Sequence, residues 1–200
     1  LPGKISYADL GHKALAVNLS DIAAMGARPE GSFLSVGLPP GTDVAHWEAF
    51  LQGYHALSQH HHVPLLGGDT TQSGKGWVVN VAVLGRLPRG TALLRSAAQT
   101  GDALFVTGPL GGSAGGLQAL VHGQEPGPNL RALIRQHYRP TPRLAEGQWL
   151  RQQKGVHAAL DISDGLASDL NHILRASQKG AQVEQTAVPV SSTLREACQA

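Results

Sequence analysis

The sequence predicts an α/β (α+β) fold built as two successive units, residues 1–90 and 98–200. Apolar residues spaced by three and four alternate with short β-rich apolar runs along the whole chain. Two turn clusters, Arg86-Leu87-Pro88-Arg89-Gly90 and Gln99-Thr100-Gly101-Asp102, divide it near the middle. No repeat or low-complexity tract interrupts this order.

Residues 8–27 predict a helix with the stripe Leu10, Ala14, Val17, Asp21 and Ala24, stopped by Gly26 and Pro29. Its other side (Leu19, Ile22, Ala23) is apolar too, so the helix is expected to be buried all round. Residues 32–38 predict a strand. Asp43 predicts the cap of a helix carrying Trp47, Phe50, Leu51, Tyr54 and Leu57. A short buried strand is expected over 63–66. The nearly all-apolar run 77–84 predicts a strand covered on both faces. Further strands are expected over 91–96, 103–107, 156–162 and 181–188, and helices from Ser113, over 130–137, over 142–152 and over 166–177. Thr141 and Pro142 form a start signal for the third of these helices. Leu166, Leu170, Ile173 and Leu174 give the last an inward face, with Gly180 as its C-cap.

Composition removes several functions. Apolar residues make up 42% and charged residues only 15%, which argues for a packed core and against disorder. The net charge is +2 with no Lys/Arg block, so no nucleic-acid partner is expected. No apolar stretch approaches the roughly 20 residues that span a bilayer, so no membrane is expected. The single cysteine, Cys198, fits a reducing, cytoplasmic compartment. The chain starts at Leu1 without Met and ends within an apparent helix, and is read as a fragment lacking both termini.

Three acidic motifs carry the chemistry: Asn18-Leu19-Ser20-Asp21, Gly67-Gly68-Asp69-Thr70-Thr71 and Asp161-Ile162-Ser163-Asp164-Gly165. Each sets carboxylates among apolar neighbours. An unpaired carboxylate there costs several kcal/mol. Hard cations relieve that cost, and Mg²⁺ with phosphates is the natural occupant. Asp21 is read as a buried mid-helix acid, with a salt bridge to Arg28 or Lys13 as the structural alternative. Asp69 follows two glycines, where a simple turn is the alternative. Asp161 and Asp164 sit at the carboxyl end of a predicted strand, the edge that ligands favour in α/β sheets. Ser163 or Asp164 would otherwise cap the next helix. Arg95 offers a bidentate phosphate contact, or is a partly exposed strand arginine. The glycine-rich stretch 108–116 either cradles a phosphate at a helix N-terminus or allows close packing. His60-His61-His62 reads as a solvated helix end.

The run from Lys13 to Ala27, with Gly67-Gly68-Asp69-Thr70-Thr71, Val106-Thr107-Gly108, Arg139-Pro140-Thr141-Pro142-Arg143 and Asp161-Ile162-Ser163-Asp164-Gly165-Leu166, resembles the thiamine-monophosphate kinase family. That family belongs to the aminoimidazole-ribonucleotide-synthetase-like superfamily. The resemblance implies two α/β domains and a homodimer joined through the amino-terminal one, whose strands form a barrel across the interface. It implies transfer of the ATP γ-phosphoryl group to thiamine phosphate with Mg²⁺ and no covalent phosphoenzyme. By motif, Asp21 would be catalytic and bridge several Mg²⁺ ions. Gly68 and Asp69 would contact ATP, with Asp69 also binding Mg²⁺. Arg95 would hold nucleotide phosphates, Asp161 and Asp164 would ligate Mg²⁺, and Ser163 would contact ATP.

The family's amino-terminal segment, with further acidic residues and a substrate-contacting histidine, lies outside this sequence, as does its carboxy-terminal part. These 200 residues alone are therefore expected to be weak or inactive in catalysis. The alternatives are another ATP-using superfamily member, such as selenophosphate synthetase or a hydrogenase-maturation protein, and a non-catalytic nucleotide-binding or dimerisation module.

Overall fold

The computed structural model describes residues 5–123 and 126–199. The outer limits of the two predicted units, residues 1–4 and 200, lie outside it. The amino-terminal half contains helix α1 (Tyr7–Ala24), strand β1 (Arg28–Leu38), helix α2 (Val44–His60) and strands β2 (Leu65–Gln72) and β3 (Val78–Arg86). The sheet order is β2-β1-β3, with β1 parallel to β2 and antiparallel to β3. Ser6 caps α1 by accepting the Asp9 N–H, and Asp43 caps α2 by accepting the Ala45 N–H at 2.8 Å.

One face of the sheet lies on the two helices. Leu15, Leu19, Phe50, Tyr54 and Val63 are fully buried there, with Leu34 and Val36 of β1 beneath them. The helices meet at glycines. A Cβ at Gly11 would collide with the Phe50 carbonyl, and one at Gly53 with the Ala8 carbonyl. This backbone-to-backbone approach fixes the register of α1 on α2.

The burial of α1 differs from the expectation. Gly11, Leu15, Leu19 and Ala23 face inward, while Val17 is 45% exposed and Asp21 is exposed. The helix is one-sided because the sheet and α2 cover a single stripe. The other face of the sheet is open: Phe33, Leu66, Val78 and Leu84 project from it. Strand β3 thus alternates, with Val79, Val81 and Val83 half-buried, and is not covered on both faces.

The second half is built from helices α3 (Gly112–Val121), α4 (Pro128–Tyr138), α5 (Leu144–Arg151), α6 (Leu166–Ser177) and α7 (Ser192–Ala197). None of the strands expected over 91–96, 103–107, 156–162 and 181–188 forms a ladder among the described residues; one isolated parallel bridge joins Leu110 to Val190. A strand exists only when a neighbour satisfies its backbone groups. Segments 103–106, 160–162 and 181–184 instead border a largely apolar space of about 650 Å³ with Leu166 and Leu170, and Phe105 is 89% exposed beside it. The expected strand at 91–96 runs into a short 3₁₀ turn, Arg95–Ala97. Helix α5 starts at Leu144, two residues beyond the Thr141-Pro142 signal. Gln178, not Gly180, takes the left-handed position after α6, at φ 54°. Among the described residues no helix is long and apolar enough to cross a membrane.

Helix α1 joins the halves at both ends. Near its C-terminus, the Arg151 Nε–H donates to the Gly26 carbonyl at 2.9 Å, and a Cβ at Gly147 would strike the Ala23 carbonyl. Near its N-terminus, Asp9 pairs with Arg139 at 2.8 Å. Two histidines complete that end. Arg139 Nη2 lies 3.3 Å from His12 Nδ1, and His12 Nε2 lies 3.1 Å from the Pro140 carbonyl. Lys13 Nζ lies 3.2 Å from His137 Nε2, and His137 Nδ1 lies 3.0 Å from Ser113 Oγ. Arginine and charged lysine only donate, so in each histidine the facing nitrogen accepts and the other nitrogen carries the proton. Both rings are therefore neutral.

Burial lowers both histidine pKa values below the ordinary 6.5; Arg139 lowers His12 further against the pull of Pro140 and Asp9, and Lys13 lowers His137. A histidine whose pKa falls on folding contributes stability above its ordinary value, and that contribution is lost as the pH drops through the folded value. The thermal midpoint is expected to fall between about pH 7.5 and about pH 5.5, and to fall less in the His12→Gln, His137→Gln double variant. Parallel pH profiles of the two proteins in a thermal melt contradict the assignment.

Candidate functional site

Helix α1 delivers Ser20 and Asp21 to the seam between the halves. Ser20 Oγ donates to Asp161 Oδ2 at 3.0 Å, a contact between residues 141 apart in sequence. Asp21 itself is solvent-exposed, yet its carboxyl is held above the ordinary 3.8. The causes are partial burial first, then the Asp161 carboxylate, opposed by the Arg95 guanidinium. Neither predicted salt-bridge partner serves Asp21: Arg28 bonds Glu30 at 2.7 Å, and Lys13 bonds His137.

Arg95 stands exposed on the 3₁₀ turn that is anchored on α6. Ser177 Oγ donates to the Arg95 carbonyl at 2.7 Å and accepts the Ala98 N–H at 3.1 Å. The motifs of Ser20-Asp21 and Asp161 are thus joined across the seam, and Arg95 lies within electrostatic range of Asp21.

The loop carrying Ser163 and Asp164 is held from below. Asp169, on the first turn of α6, is 5% exposed, and its Oδ2 accepts the N–H groups of Ser163, Asp164 and Gly165 at 2.9, 3.0 and 3.1 Å. Sequence reasoning missed Asp169. The signal was present: it stands three residues after Leu166 and four before Ile173, a carboxylate on the apolar stripe.

Asp69 lies within β2, opposite Ser35 of β1, and not in a turn. Gly68 before it has φ 153°, and a Cβ there would collide with the Leu34 carbonyl, so only glycine fits. The structure leaves Asp69 exposed on this edge strand and Asp164 on the exposed loop. Among the described residues no group of three or more His, Cys, Asp or Glu side chains stands in a metal-holding arrangement, the His60–His62 run included. The glycines of 112–116 serve packing: a Cβ at Gly116 would strike the Leu133 carbonyl of α4, and one at Gly115 would meet Leu194 of α7.

Asp21 and Asp161 are oxygen donors in electrostatic range of each other, and burial first, then the Asp161 charge, raises the proton affinity of Asp21. Such a pair, with a guanidinium beside it, fits a hard divalent cation carrying phosphate groups.

Two domain families match this chain. AIR synthase related protein, N-terminal domain, matches residues 2–87, and AIR synthase related protein, C-terminal domain, matches residues 99–199. The chain belongs to the AIR synthase related family. Within that class it is similar to thiamine-monophosphate kinases. The one from Salmonella typhimurium is 45% identical over 192 residues, 95% of this chain and 58% of that protein. The chain therefore spans well under two thirds of the curated relatives it matches. The crystal structure of thiamine-monophosphate kinase from Stenotrophomonas maltophilia K279a superposes with a TM-score of 0.90 at 40% identity, over 98% of this chain and 62% of that one. A structure described as AaThiL complexed with AMPPCP and TMP gives a TM-score of 0.91 at 31% identity, with the same coverage of 98% and 62%.

The raised pKa of Asp21 has a thermodynamic sign. Its carboxyl is easier to protonate when folded, so it favours folding below the ordinary 3.8 and loses that contribution as the pH rises through the folded value. Asp21→Asn is expected to raise the thermal midpoint of the metal-free protein at neutral pH, with the gain shrinking on acidification. A lowered midpoint at neutral pH would show that Asp21 supports the fold.

Proposed function

We propose that the protein containing this chain is a thiamine-phosphate kinase, a phosphotransferase that moves the γ-phosphoryl group of ATP onto thiamine phosphate to give thiamine diphosphate. The observation that carries this reading is the Ser20–Asp161 hydrogen bond, which joins two of the acidic motifs across the seam, with Arg95 in electrostatic range of Asp21. The similarity to proteins named for this activity, one of them in complex with AMPPCP and TMP, supports it. In this reading residues 1–90 and 98–200 are the two domains.

Phosphoryl transfer asks little covalent chemistry of a protein; it asks for alignment and charge neutralisation. Asp21 and Asp161 would hold Mg²⁺, joined by Asp69 and Asp164 from the sequence motifs. The bound ion would neutralise charge on the transferring phosphates. Ser20 orients Asp161 by its hydrogen bond. Arg95 binds nucleotide phosphates from a turn fixed by Ser177. Gly68, its conformation set by the neighbouring Leu34 carbonyl, would contact ATP through its backbone, and Ser163 would contact ATP from the clamped loop. In this reading transfer is direct, without a phosphoenzyme. The open apolar face with Phe33, Leu66, Val78 and Leu84 is where a second copy would join to form a homodimer. A single cysteine and ATP dependence both fit the cytoplasm.

The full-length protein is expected to form thiamine diphosphate and ADP in equal amounts from ATP and thiamine phosphate in the presence of Mg²⁺. Asp21→Asn should lower turnover by roughly tenfold or more, and Asp161→Asn with Asp164→Asn should weaken Mg²⁺-ATP affinity in a nucleotide titration. Nucleotide binding without turnover would mark a binding module instead, and unchanged activity of Asp21→Asn would refute its role.

A further inference from the structure

We infer that Asp169 is a positioning residue of this site: it sets the backbone from which Ser163 and Asp164 are presented, and does not itself ligate a metal. The inference rests on the kinase reading for its function and on geometry for its form. Asp169 is the one buried residue of α6 among those described, whereas the apolar Leu166, Leu170, Ile173 and Leu174 of the same helix are only half-buried. An acid in the most enclosed position of an amphipathic helix needs compensation. Three converging N–H groups supply it, all to one oxygen and all at 2.9–3.1 Å. Charge-assisted bonds of this kind are stronger than neutral ones.

The consequence falls on the loop. Residues 163–165 have no ladder or helix to bind their N–H groups, and Gly165 turns the chain at φ 112°, a conformation open to glycine. Asp169 is what gives these amides a fixed acceptor. Ser20 holds the loop at its other end through Asp161. The stretch is therefore clamped from both sides, by a hydroxyl from the first half and a buried carboxylate from the second. Oδ2 of Asp169 is thus engaged by three donors inside the protein.

The full-length protein, Asp169→Asn and Asp169→Ala are to be compared by amide hydrogen exchange and by AMPPCP titration over a series of Mg²⁺ concentrations. Exchange at residues 163–165 is expected to accelerate in both variants while that of α1 is unchanged. The Mg²⁺ concentration for half-maximal AMPPCP binding is expected to rise roughly tenfold in Asp169→Ala and less in Asp169→Asn, which keeps an acceptor oxygen. Should the alanine variant fail to fold, the asparagine variant gives both readouts. Unchanged exchange overturns the inference. So does faster exchange with an unchanged Mg²⁺ response, which is the signature of a structural cap alone. Turnover is scored separately: a wild-type protein that binds Mg²⁺-AMPPCP yet does not phosphorylate thiamine phosphate refutes the kinase reading, while the titration still decides the role of Asp169.

Discussion

The Ser20–Asp161 hydrogen bond ties the end of α1 to the second half, and it sets the Asp161 carboxylate within electrostatic range of Asp21. Partial burial first, and then repulsion from Asp161, raises the pKa of Asp21. Two features keep the pair in place. Ser20 donates to Asp161, and Arg95 stands near enough to oppose the shift. A pair held this way is poorly compensated as an ion-free structure and well suited to a divalent cation with phosphates, which is the arrangement phosphoryl transfer requires. The electrostatic cost in the fold and the proposed chemistry share one origin.

Backbone contact makes such a placement possible. Helix α1 cannot slide on α2, because Gly11 and Gly53 each meet a carbonyl of the opposite helix. Its last turn cannot move from α5, because Gly147 meets the Ala23 carbonyl and Arg151 bonds Gly26. Its first turns are tied to the second half by Asp9–Arg139 and by two neutral histidines, each set between a cation and an acceptor. A rod fixed at both ends carries Ser20 and Asp21 to a defined point. Interactions that leave nothing to side-chain choice position charges better than flexible ion pairs do.

Much of this was legible in the sequence, for physical reasons that differ by element. The helices and the first sheet follow from apolar spacing, capping and turn residues; Asp43 caps α2 as its position predicts. The acidic motifs stood out because carboxylates rarely sit among apolar neighbours. The face of Asp21 was misread because α1 is apolar nearly all round, so periodicity could not tell the stripe of Leu15 and Leu19 from that of Leu10 and Val17. The strands of the second half were misjudged because local β preference says nothing about whether a partner strand lies alongside. Asp169 was overlooked because the eye follows the leucines of an amphipathic helix, although its spacing from Leu166 and Ile173 marked it. The glycine-rich stretch 108–116 read equally as cradle or packing, and the collisions with Leu194 and Leu133 assign packing to Gly115 and Gly116.

The most direct measurement is a crystal structure of the full-length protein grown with AMPPCP and Mn²⁺ in place of Mg²⁺, read by the anomalous signal of the metal. An anomalous peak within about 2.2 Å of carboxylate oxygens of both Asp21 and Asp161, beside the nucleotide phosphates, is the predicted result. Manganese bound elsewhere, with Asp21 and Asp161 both turned away from the nucleotide, would contradict it.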